Sequence, residues 1–151
     1  MKERLRSIRA WMKKRWQMLT IVGSIPLILA IYPSFVLGYT WIKVLQSDLP
    51  GGRHGPLDAY RHTLASAVVS YTLNEEAIHL VNRVMEGDPL HIHAMDRHNN
   101  LIGARIGSEV ESFGDIERAV AEQVAKGKVM SRDPDQSTWL PEVMWQNEKM
   151  W

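Results

Sequence analysis

A run of 25 residues without a formal charge, Met18 to Ile42, constrains this chain more than any other feature. At 1.5 Å rise per residue, a helix of that length covers the roughly 30 Å hydrocarbon core of a bilayer. Trp11 and Trp16 precede the run and Tyr39 and Trp41 stand at its far end, the positions where amphipathic rings settle at the two membrane interfaces. Lys43 follows at once, placed to snorkel outward. Pro26 and Pro33 remove backbone donors and Gly23 and Gly38 weaken the helix, which membrane helices accommodate as kinks. A cleaved secretory signal would have a shorter apolar region and a small-x-small site, and a soluble hairpin is the third alternative. The expectation is a signal anchor over residues 18–42, with the lipid bilayer as its partner.

Charge divides the chain on either side of that run. Residues 1–17 hold seven Lys/Arg and one Glu, whereas residues 46–151 hold ten Lys/Arg against sixteen Asp/Glu, a net −6. The basic arm predicts a cytoplasmic N-terminus and an exported domain. In a bacterium this is an inner-membrane protein with a periplasmic domain. An acidic domain argues against nucleic acid as its partner, because a phosphate backbone calls for a basic face. The chain has no cysteine, which fits export only weakly.

The stretch QSDLPGGRHGP, within residues 43–56, reads as a linker. Apolar periodicity then predicts helices at about 57–72, 75–86, 94–113 and 115–126, and a shorter one at about 140–150. Asn74 is the expected N-cap of the second, with Glu75 and Glu76 in its first turn. The expected fold is all-α: an N-terminal transmembrane helix followed by a small bundle of four to five helices. Residues 57–130 form the helical domain and 131–151 a tail with Trp139, Trp145 and Trp151, suited either to the bilayer interface or to covering the core. A core of this size is thin, so the helices should also lean on the spanning segment or on a second copy. Gly103 and Gly107, four apart, form a face for close approach of another helix, a candidate homo-oligomer contact.

Chemistry concentrates between Gly55 and Gly107. On a helical wheel, Asp58, Arg61 and His62 fall in the sector of Leu64, Ala65, Val68 and Val69, while Thr63, Ser66 and Ser70 fall opposite. Asp96, Asn99 and Asn100 lie on or beside the apolar side of the third helix, Ile102, Ile106, Val110 and Phe113. Charged groups on a buried face need partners or a ligand. Either these six form a structural network that fixes helix register, or they form a site. As a site, His62 is general base or metal ligand, Asp58 orients it, Asp96 is acid or second ligand, and Arg61, Asn99 and Asn100 bind an anionic group. All six histidines lie between positions 54 and 98. His62, His91, His93 and Asp96 are the candidates for a divalent metal, although they match no closed zinc signature. His54 reads as linker, His79 as solvated and His98 as facing outward. A serine or cysteine nucleophile and a phosphate loop have no supporting motif.

The segments GPLDAYRHTLASA (55–67) and MDRHNNLIGARIG (95–107) together resemble an uncharacterised bacterial helical domain found in membrane and toxin-like or phage-associated proteins. Its marks are Asp-Ala-x-Arg-His and Met-Asp-x-x-Asn-Asn-x-x-Gly. The resemblance implies an all-helical fold and marks Asp58, Arg61, His62, Asp96, Asn99 and Asn100. Similar domains carry a His-Glu step between the motifs, and residues 79–86 here do not. The function expected is a membrane-anchored envelope protein with hydrolase activity on a lipid or envelope substrate, or alternatively a non-catalytic envelope protein whose cluster is structural or docks a partner.

Overall fold

The structure is a computed structural model that describes residues 11–13, 15–16, 30–79 and 91–150, the side chains of 91–93 excepted. It divides into two units, Met1–Phe35 and Val36–Trp151. The described parts of the first are helical. There the Arg15 guanidinium lies 4.8 Å from the Trp11 ring centre, and Ser34 Oγ donates to Ala30 O at 2.8 Å. That bond hides a hydroxyl inside an apolar helix. Among the described residues no helix is long and apolar enough to cross a membrane. Residues 18–29 of the expected span lie outside the described residues.

The second unit is mostly helical, as expected. Helix α1 (30–46) enters it at Val36 and is followed by α2 (Pro56–Thr72), the described turn α3 (75–79), α4 (His91–Glu109) and α5 (Asp115–Ala125). Two short strands, β1 (Lys128–Val129) and β2 (Thr138–Trp139), pair in parallel, and α6 (Glu142–Trp145) ends the fold. Asn74 caps α3 as expected, its Oδ1 accepting from Ala77 N at 3.0 Å. The remainder of the helix expected at 75–86 lies outside the described residues. The third expected helix stops at Glu109 rather than residue 113, and the fifth keeps only four residues.

α2 and α4 form the centre of the domain. Going up α4, Asp96 faces His62, Asn100 meets Ser66, Gly103 meets Thr63 and Ser66, and Gly107 meets Ala67 and Ser70. The positions rise together, so the two helices run parallel and both motifs lie at their N-terminal ends. A Cβ on Gly103 would stand 2.1 Å from Thr63 O, and one on Gly107 2.2 Å from Ala67 O. The glycine face is therefore filled by α2 of the same chain and is not open to a second copy. Thr63, Ser66 and Ser70 line the other side of this contact and are buried, whereas Arg61, Ala65 and Val69 are only partly so. The wheel expectation is thus corrected in part: Asp58, Leu64 and Val68 are buried as expected, but the small polar face of α2 packs inward too, because small residues permit the closest backbone approach.

Around this pair, Ile116, Val120 and Val124 give α5 a buried stripe, and Val36, Thr40 and Val44 turn α1 inward. Lys43 Nζ pairs with Glu117 at 2.6 Å, and Phe113 lies 5.1 Å from Tyr39 and 5.9 Å from Tyr71, ring centre to ring centre. Residues 36–46 are thus part of the domain, and the linker expected to begin at 43 begins after 46. It is held in place by the tail. Trp145 is 8% exposed, donates from Nε1 to Leu140 O at 2.7 Å, and seats its ring where a Cβ on Gly51 or Gly55 would come within about 3 Å. Leu140 N donates to His54 O at 2.9 Å. Trp145 therefore covers the core, while Trp151 lies outside the described residues.

Candidate functional site

Five of the six marked side chains meet where the N-terminal halves of α2 and α4 come together. Asp58 is the third residue of α2 and is 2% exposed. Its Oδ2 accepts from His54 N at 2.7 Å, a reach back over the helix start that satisfies an otherwise unpaired donor. Its Oδ1 accepts from Arg61 Nε at 2.9 Å and lies 2.6 Å from Arg61 Nη2. The same Nη2 stands 2.8 Å from His62 Nε2. A guanidinium can only donate, so Nε2 accepts and carries no proton in this arrangement. Asp96 closes the group from α4, with Oδ1 3.4 Å from His62 Nε2. That oxygen is sealed from solvent and has no hydrogen-bond partner.

Burial pushes the pKa of His62 below its ordinary value; the charge of Asp96 opposes this, Arg61 reinforces it, and Asp58 and a hydrogen bond with Asn100 oppose it. A neutral imidazole beside two carboxylates is the outcome. Asn100 is itself fixed by Ser66, whose Oγ donates to Asn100 Oδ1 at 3.0 Å.

The roles expected from sequence are redistributed. Asp58 stands 3.7 Å from the nitrogen that Arg61 already addresses, so it holds Arg61 rather than orienting His62. Asn100 orients His62 and, at 6% exposure, is not placed to bind substrate. Asn99 leaves the cluster altogether: fully buried, it donates from Nδ2 to Thr138 O at 2.8 Å and accepts from Thr138 N at 3.0 Å, clipping β2 to α4. His98 is likewise structural, its Nε2 lying 2.8 Å from Gln136 O. His79 is exposed, as expected. The side chains of His91 and His93 lie outside those described. Among the described residues, the group able to hold a metal is Asp58, His62 and Asp96.

Sequence reading missed His54. It adopts a φ of 69°, in the left-handed region that non-glycine residues rarely enter, and brings Nδ1 within 3.9 Å of Asp58 Oδ2. The Gly-rich context marked a turn there but not its direction.

The cluster reaches solvent through Arg61, whose side chain is 31% exposed, and His62, at 18%. Arg61 lines a cavity of about 490 Å³ with Arg53, Asn147, Glu148, Lys149 and Met150. Three basic side chains against one acidic make its mouth electropositive. Compared with family models, curated proteins and solved structures, the chain finds no match.

Proposed function

We propose that this chain is a membrane-anchored envelope protein whose helical domain hydrolyses a lipid or cell-envelope substrate bearing an anionic group. The observation that carries the reading is His62, whose Nε2 stands between two carboxylates and 2.8 Å from Arg61 Nη2, in a cluster that reaches a basic cavity through Arg61. A lone pair held beside Asp96 favours positive charge arriving there, either the proton of an attacking water or a metal ion that would activate that water. Arg53, Arg61 and Lys149 hold the anionic group from the cavity side. The anchor is supported by the uncharged run itself and by the exposed apolar side chains of α1: Ile31, Phe35, Leu37, Ile42 and Leu45.

The competing reading, a structural network, draws on Arg61, which satisfies Asp58 and His62 together. His62→Asn separates the two. The purified full chain in detergent is assayed against envelope phospholipids and chromogenic phosphate esters, with thermal unfolding followed in parallel. A catalytic His62 predicts loss of turnover with a nearly unchanged melting temperature. A loss of about 1–3 kcal/mol, the usual result of leaving a buried partner unsatisfied, with turnover retained in the folded fraction, would reject the hydrolase.

A further inference from the structure

We infer that Asp58, His62 and Asp96 form a binding site for one divalent transition-metal ion, with Arg61 as the internal cation that the ion displaces. The inference deepens the function proposed above and uses the same site.

Three donor atoms, one from each residue, lie within 4.8 Å of one another. His62 Nε2 is 3.4 Å from Asp96 Oδ1 and 3.7 Å from Asp58 Oδ1. Those separations are too long for hydrogen bonds, which close at about 2.7–3.2 Å. They match neighbouring ligands on one ion: bonds of about 2.0–2.2 Å at a tetrahedral angle put ligand atoms roughly 3.4 Å apart. A second, independent sign is Asp96 Oδ1, sealed from solvent on a residue only 8% exposed, without a hydrogen-bond partner and directed at that imidazole. A bare buried carboxylate oxygen is costly unless a cation meets it. Among the described residues, the permanent cation Arg61 pairs with Asp58, while the contact of Asp96 is with the imidazole of His62, so one of the two negative charges is left over.

Arg61 Nη2 touches two of the three donor atoms, so the pocket already selects a positive charge. Its side chain borders the cavity and can withdraw into it. One imidazole and two carboxylates suit zinc or manganese, and three protein ligands leave a position for water.

The test is titration of the tag-free, chelator-stripped full chain in detergent with ZnCl2 and, separately, MnCl2, read by calorimetry. One equivalent is expected to bind with at least one of the two metals. Asp96→Asn, nearly isosteric and checked for folding by circular dichroism, should weaken binding at least tenfold. Arg61→Gln should tighten it, because the competing cation is gone. A double His91→Ala/His93→Ala variant should bind as the parent does. No binding by the parent, binding unaffected by Asp96→Asn, weaker binding in Arg61→Gln, or loss in the double variant would each overturn the site. Metal bound without turnover on any substrate rejects only the hydrolase. Turnover that survives exhaustive chelation rejects only the metal.

Discussion

Asn99 and Asn100 are neighbours in sequence with unrelated tasks. Asn100 points along the α2 contact and holds His62. Asn99 spends both ends of its amide on the backbone N–H and C=O of one residue, Thr138, 39 positions away. Asn99→Ala would strand a buried donor and a buried acceptor, and the expected loss is about 2–6 kcal/mol at about 1–3 kcal/mol for each unsatisfied group. Urea unfolding followed by circular dichroism measures it; a loss under half a kcal/mol would mean that the clip contributes nothing. The cluster of Asp58, Arg61, His62 and Asp96 was legible in sequence because ionisable groups stood beside buried apolar positions. The clip was not, because a backbone partner in an irregular segment leaves no side-chain pattern to read.

Between elements, the decisive surface is the seam of α2 and α4. Gly107→Leu would place a side chain where Ala67 O stands at 2.2 Å from the first added carbon. The helices would have to part, at a cost of about 1–3 kcal/mol or somewhat more. A urea midpoint equal to that of the parent would show that the seam yields freely. Gly103 and Gly107 announced this contact by their spacing, and the structure adds its partner. The partner face escaped the wheel because Thr63, Ser66 and Ser70 rank as polar, although hydroxyls this small pack like alanine when two backbones touch. The parallel direction was equally hidden, since a helix expected at 75–86 does not by itself fix the direction in which the chain returns.

At the scale of the whole molecule, the tail and the segment before α2 are one structure. Trp145→Ala would empty the seat over Gly51 and Gly55, and a loss of about 3–5 kcal/mol is expected from the size of the side chain removed. Turnover should fall with it, because the cavity wall at Glu148, Lys149 and Met150 follows directly after that residue. A variant with parental stability and turnover would show that the tail is dispensable. Topology is tested with a reporter joined after Trp151: the seven basic residues of the arm predict activity only for a reporter that requires export, and activity of a cytoplasm-dependent reporter would reverse the orientation. The tail has one more consequence, in the order of synthesis. Leu140 N holds His54 O, and a Cβ on Gly52 would stand 1.8 Å from Glu148 O, so the stretch that presents His54 N to Asp58 is braced by residues translated almost a hundred positions later. A nascent chain still short of those residues carries every group of the cluster and lacks its brace and its cavity wall. The cluster therefore gains its brace and its cavity wall only after the ribosome has passed position 150.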